Sequence, residues 1–190
     1  MSCDCHIEPV NEVQRRVLVT LLTINGAMFL VEIVAGIVAD SSGVIADSLD
    51  MLADALVYGV GLYAIGKAAT IKRRAAWWSG GFQLLLATSI VVDVLRRALI
   101  GSEPHSTLMM IVASLALVAN AYCLSLLQKH KDGEVHMRAS WIFSRSDVIA
   151  NIGVVVAGLL VRLTPSRWPD LIVGPGIARG VFNIAGGADG

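Results

Sequence analysis

One apolar run of the chain carries three carboxylates at regular intervals: Ile45-Ala46-Asp47-Ser48-Leu49-Asp50-Met51-Leu52-Ala53-Asp54. Side chains three, four and seven positions apart lie on one face of an α-helix. If this run is helical, Asp47, Asp50 and Asp54 therefore form a single acidic stripe. Such a stripe repels itself and is costly in hydrocarbon. It indicates a helix that lines a wet cavity or that binds protons or a cation.

The rest of the chain is strongly apolar. Of 190 residues, 55% are hydrophobic and 16% are charged, and the mean hydropathy is +0.69, whereas a soluble domain carries roughly 25% charged residues. Crossing a bilayer takes about 20 apolar residues. We therefore predict an all-α, polytopic membrane helix bundle of about six transmembrane helices, at residues 17–39, 43–65, 75–100, 108–127, 141–163 and 168–185. The last segment contains Gly174-Pro175-Gly176, so we expect that helix to be short or broken.

The basic residues of the loops indicate an orientation. Nine Lys and Arg residues fall on the side of the N-terminus, against four on the other side. Because positively charged loops stay in the cytoplasm, we expect both termini there, in a bacterial inner-membrane protein. Residues 1–14 lack the apolar core of a cleaved signal peptide and are expected to form a cytoplasmic tail before a transmembrane domain at 15–190. The zero net charge argues against a nucleic-acid partner.

The fifth apolar segment also carries polar side chains at helical spacing. Asp147 and Asn151 are four positions apart and share a helix face, and Ser144 lies one turn before Asp147. If the second and fifth helices pack together, Asp50, Asp54 and Asp147 converge near mid-membrane. Oxygen ligands from two helices suit a divalent metal ion. An interhelical hydrogen bond is the plainer explanation for any one of these residues, but a poor one for the whole set.

Other polar residues have plainer explanations. Glu32 is a candidate for a supporting or entry role beside the site, whereas Asn25 and Asn120 fit interhelical hydrogen bonds. Asp93 lies next to two arginines and fits a local ion pair. The N-terminal tail reads Cys3-Asp4-Cys5-His6, donors that suit zinc, copper(I) or cadmium, but so short a segment cannot close a metal site alone.

Together these motifs resemble the cation diffusion facilitator (cation efflux) family over about residues 17–174. The resemblance is carried by the run at 41–54, by Asn25, Glu32 and Gly36 in the first segment, and by Ser146-Asp147-Val148 and Asn151 in the fifth. It implies a six-helix transporter, usually a homodimer, without a prosthetic group. Such transporters expel zinc, cobalt, cadmium, iron, nickel or manganese, commonly in exchange for protons. The resemblance also implies Asp50, Asp54 and Asp147 as metal ligands.

The chain departs from the family pattern in three ways. Phe143 stands four positions before Asp147, where His or Asp is usual, and Asp50 stands where many zinc carriers have His. The set that is left is all oxygen, completed by Asp47, Asn151, Ser144 or water, which favours cobalt, iron or manganese without excluding zinc. The chain also stops at Gly190, without the cytoplasmic domain of most members, so we expect a short form.

The expected mechanism is alternating access around the carboxylates, in which the metal displaces protons. Two alternatives stay open. A non-transporting relic or accessory membrane subunit is suggested by Phe143 and by the unusual last helix. A metal-dependent membrane phosphotransferase is disfavoured, because no Asp-Gly followed by Ala-Arg precedes Asp47; an enzyme is therefore not expected.

Overall fold

The computed structural model of the protein describes residues 8–64, 69–128, 135–164 and 166–186. The described residues form six α-helices and no strand: α1 Glu8–Val38, α2 Ser42–Ala64, α3 Ala69–Ile100, α4 Ser106–Gln128, α5 Val135–Leu163 and α6 Trp168–Gly186. The predicted all-α class is confirmed, and each predicted segment overlaps one helix. Helix α1 begins at Glu8, so half of the expected tail is helical, whereas Cys3, Cys5 and His6 lie outside the described residues.

Three of the described helices are long and apolar enough to cross a membrane: Arg15–Val38, Ser106–Gln128 and Ser144–Leu163. Helix α2 does not meet the same criterion, because every 18-residue window in it contains all three aspartates of the acidic stripe. The composition of α2 is that of a helix shielded by protein, since charged groups in membrane helices face the bundle interior.

Helix α2 lies at the centre of the bundle. It packs against each of the five other helices within the described ranges, whereas α1 packs only against α2 and α4. Small and apolar side chains of α2, including Val44, Ala46 and Ala53, are buried in these contacts. Three carboxylates on one helix are therefore surrounded by protein rather than by lipid.

The bundle is apolar on the outside and polar on the inside. On α1, Leu30, Val34 and Ile37 are 61–64% exposed, whereas Glu32 on the same helix is fully buried. The buried polar residues also include members of α2, α4 and α5. A protein in water buries its apolar face, so this inverted distribution confirms an integral membrane protein.

Two apolar clusters bracket the buried polar residues along the bundle. Near the N-terminal end of α2, one cluster contains Ala39, Val44, Ala46, Ile90, Met109, Val112, Ala113, Val154, Ala157 and Ile177. Near its C-terminal end, the other contains Leu18, Leu21, Tyr58, Cys123 and Leu127. The acidic stripe lies between them, so the carboxylates are at mid-bundle and away from both ends.

Helix α6 differs from the expectation of a break. It has 19 residues and is the shortest of the described helices, but it continues through Pro175. The proline removes one backbone donor, while Gly174 packs closely against α3 and α2: a Cβ there would lie 3.0 Å from Val94 Cγ2 and 3.6 Å from the Ser42 carbonyl oxygen. Of the two expected forms, short or broken, the described helix is short and is not broken at Pro175, because packing against two helices supports this part of α6.

Candidate metal-binding site

The N-terminus of α2 is held by an aspartate from another helix. Asp170, in the first turn of α6, accepts hydrogen bonds from the Ser41 hydroxyl at 2.6 Å, the Ser42 amide at 2.8 Å and the Gly43 amide at 3.0 Å. Ser41 Oγ accepts in turn from the Val44 amide at 3.1 Å. These bonds satisfy backbone donors that a helix start leaves free. They fix where the acidic stripe of α2 begins.

A buried arginine ties α2 to the end of α3. Arg97, only 4% exposed, forms ion pairs with Asp40 and Asp93, and its Nε donates to Asp93 Oδ2 at 2.8 Å. The same Asp93 oxygen accepts from the Ser42 hydroxyl at 3.1 Å. The predicted ion pair of Asp93 is confirmed, and it also joins the ends of three helices.

A glycine sets the contact between α1 and α2. A Cβ on Gly36 would lie 2.8 Å from Ile45 Cγ1 and 3.0 Å from the Ile45 amide nitrogen. Further along the same pair, Met28 and Met51 pack together. Between these two contacts, Glu32 faces the turn of α2 that carries Asp47, and the two carboxyl groups adjoin.

The side-chain amide of Asn151 on α5 forms a hydrogen bond with α2. Asn151 Nδ2 donates to Asp47 Oδ1 at 2.9 Å and to the Asp147 carbonyl oxygen at 2.8 Å. Because both partners are acceptors, the orientation of the amide is fixed. This bond joins residues 104 positions apart and brings the acidic stripe against the polar face of α5.

One turn deeper, Asp54 and Asp147 adjoin across the two helices, and Asp50 lies beside them. Asp54 and Asp147 are 4% and 7% exposed, while Asp50 is half-buried. The Tyr58 hydroxyl donates to Asp54 Oδ2 at 2.8 Å, which orients that carboxylate. The predicted ligands are thus neighbours, although in the described part of the chain no three acidic, Cys or His side chains form a ready-made metal cluster.

Several oxygen atoms around this centre have no hydrogen-bond partner among the described residues: Glu32 Oε1 and Oε2, Ser144 Oγ, Asp147 Oδ2 and Asn151 Oδ1. Each is buried, and a buried oxygen without a donor costs about 1–3 kcal/mol, more if it is charged. These atoms come from α1 and α5, beside the aspartates of α2, and all of them are oxygen. The set fits a divalent cation.

Three further residues singled out in the sequence are Asn25, Asn120 and Phe143. Asn25 Nδ2 bonds the Leu21 carbonyl oxygen at 2.9 Å and lies 4.0 Å from Cys123 Sγ on α4, which fits the expected contact between helices. Asn120 is buried, but neither of its amide atoms has a partner in the described ranges, so its expected hydrogen bond is not seen. The side chain of Phe143 lies outside what the structure describes.

Two residues of this region were missed in the sequence. Tyr58 stands four positions after Asp54, so the spacing of the acidic stripe already placed it on the same face. Asp170 gave no local signal, because the residues it binds lie about 130 positions earlier in the chain.

Comparison with known proteins gives matches over most of the chain. The cation efflux transmembrane domain family matches residues 18–185. The metal cation efflux system protein CzcD of Cupriavidus metallidurans is 26% identical over 161 residues, which cover 78% of this chain and 51% of CzcD. The zinc transporter ZitB of Yersinia pseudotuberculosis is 28% identical over 91 residues, 47% of this chain and 29% of ZitB. The chain thus spans about half the length of CzcD.

Proposed function

The chain belongs to the cation efflux family, and on this basis we propose that it carries a divalent metal cation across the membrane through a mid-bundle site of carboxylates. Asp50, Asp54 and Asp147 are the proposed ligands, with Asp47 and Asn151 completing or adjoining the set. The names of CzcD and ZitB support metal export as the class of activity.

One observation carries the proposal: buried carboxylates of two helices adjoin where α2 and α5 cross. Asp54 and Asp147 are separated by 93 positions in sequence yet lie side by side. Two adjoining, desolvated carboxylates repel strongly unless a cation or a proton lies between them. A site that can exchange a cation for protons, and that lies between two apolar clusters, suits a carrier.

The coupling of transport to protons follows from the same repulsion. When the metal leaves, protons neutralise the carboxylates, and when metal returns it displaces them. Exchange of a divalent cation for protons results. The oxygen-only ligand set favours cobalt, iron(II) or manganese and tolerates zinc and cadmium. The loop charges favour both termini in the cytoplasm, so the proposed direction is outward, from a homodimer in a bacterial inner membrane.

The test is metal uptake into proteoliposomes that contain a metal-sensitive dye. Zinc, cobalt, cadmium, iron(II) and manganese are offered in turn, and an internal pH dye follows proton movement. Asp54→Asn and Asp147→Asn keep side-chain size and remove one charge. Each is expected to lower uptake at least tenfold, because one of the three proposed charged ligands is lost. Asn120→Ala, a change of a buried polar residue on α4, is the matched control and should keep uptake.

Uptake of at least one ion that is lost in both aspartate variants, with proton movement in the opposite direction, supports exchange at this site. Transport by Asp54→Asn and Asp147→Asn at the wild-type rate contradicts the site. Folded wild-type protein that moves none of the five ions contradicts transport and favours the accessory subunit. Phe143, in place of a usual ligand of the family, is the sequence observation behind that second candidate.

A further inference from the structure

The proposed central site leaves one buried carboxylate unexplained. Glu32 on α1 is fully buried, and no donor within the described ranges reaches either of its oxygens. The charged groups that act on it are Asp47 and Asp50, both acidic. A buried carboxyl group beside two other carboxylates is unfavourable in a protein interior unless a proton or a cation neutralises it. Either a proton shared with Asp47 or a bound cation must therefore neutralise Glu32.

A neutral oxygen lies beside Asp47, the carboxylate that adjoins Glu32. The amide of Asn151 is oriented by its bonds to Asp47 and to the Asp147 carbonyl. Its Oδ1 is buried and has no donor in the described part of the chain. Two carboxylates and an amide oxygen are ligands that a hard or borderline divalent cation accepts, with water completing the coordination.

The balance of charge points the same way. Five carboxylates adjoin in this region: Glu32, Asp47, Asp50, Asp54 and Asp147. One divalent ion at the central site offsets two of the five negative charges. A second ion between Glu32 and Asp47 offsets two more, and it does so where the ligands come from α1, α2 and α5 rather than from α2 and α5 alone.

We propose that Glu32, Asp47 and the amide oxygen of Asn151 form a second divalent-cation site, one helical turn from the central carboxylates toward the N-terminal end of α2. This inference rests on the proposed function, because it assigns the second site to the same ion and the same path. The ion passes between the two sites on its way through the bundle. Asp47 and Asn151, which complete or adjoin the central set, are thereby assigned to the second site beside it.

The test counts bound ions on the full-length protein in detergent by equilibrium dialysis against Zn²⁺ and, separately, Mn²⁺. All variants carry Cys3→Ser, Cys5→Ser and His6→Ala, so that tail ligands do not contribute. The protein without further change is expected to bind two ions per chain. Glu32→Gln should bind one, Asp54→Asn should bind one, and the double variant none. Asn25→Ser, seven positions from Glu32 on the same helix, is the matched control and should bind two.

The second site is overturned if the Glu32→Gln variant still binds two ions. It is also overturned if the parent protein binds only one ion and Glu32→Gln keeps that ion. In either case protons neutralise Glu32. Loss of an ion in Asp54→Asn alone then still supports the central site, whereas Asp54→Asn that binds as the parent does contradicts the proposed function itself. If Glu32→Gln does not give a monodisperse protein, Glu32→Asp decides. Its shorter side chain should weaken one of the two ions about tenfold, and unchanged affinity for both overturns the site.

Discussion

Replacing Asp170 by alanine tests whether α6 holds the start of α2. The substitution removes the acceptor of the Ser42 and Gly43 amides, which are bonded at 2.8 and 3.0 Å, and of the Ser41 hydroxyl at 2.6 Å. All four residues are buried. Each orphaned buried donor costs about 1–3 kcal/mol, and relief from burying the carboxylate offsets part of the sum. We expect a loss of about 3 kcal/mol in the free energy of unfolding.

In a chain of this length, 1 kcal/mol corresponds to roughly 2–4 °C in the melting temperature, so Asp170→Ala should melt about 6–12 °C below the wild type. Asp170→Asn keeps one acceptor oxygen and should lie between the two. Melting is followed by size-exclusion chromatography after heating in detergent. Glu103→Gln is the control, because the exposed side chain of Glu103 lies near the same end of the bundle. Melting of Asp170→Ala within 2 °C of that control, by the same conversion, would refute the assigned cap.

Two further predictions concern how the helices are held together. Gly36→Ala places a Cβ 2.8 Å from Ile45 Cγ1 and should lower stability by about 1–3 kcal/mol. Gly26→Ala, with nothing within 4 Å, should raise it by about 0.5–1 kcal/mol, so equal melting temperatures would contradict the assigned α1–α2 contact. Arg97→Met leaves Asp93 and Asp40 without their shared partner and should cost about 3 kcal/mol. Arg96→Met, at a side chain 59% exposed and 3.7 Å from Asp93, should cost less than about 1 kcal/mol, and thermal unfolding of the two variants side by side decides between them.

The helices of this protein were readable from the sequence because long apolar segments determine them locally. A run of about 20 apolar residues bounded by charged residues has few alternatives in a membrane. The boundaries were less readable: α1 and α5 extend beyond the apolar part by turns that hold polar residues. The continuity of α6 through Pro175 could not be read, because it depends on the packing of Gly174 against two distant helices.

The site was readable where spacing along one helix carries it. Asp47, Asp50 and Asp54 share a face by periodicity alone, and so does Tyr58. The sequence did not reveal which residue of a neighbouring helix each of these side chains contacts. The bond between Asn151 and Asp47, the cap from Asp170 and the pairing of Arg97 with Asp40 each join residues at least 57 positions apart. Such pairs depend on how the helices are arranged around α2, and local patterns do not specify that arrangement.

The acidic stripe nevertheless indicates where α2 lies among the helices of the bundle. A membrane helix can keep three carboxylates only if protein, water or ions surround them, because lipid offers no hydrogen bonds. Of the six described helices, α2 packs against all five others, so it is the position at which such a stripe is least costly. The same reasoning applies to α1, where Leu30 and Val34 are exposed on one side and Glu32 is buried on the other. The buried Glu32 marks the side of α1 that faces the proposed ion path, and its lack of a hydrogen-bond donor in the described ranges is the strongest reason to test for a cation beside it.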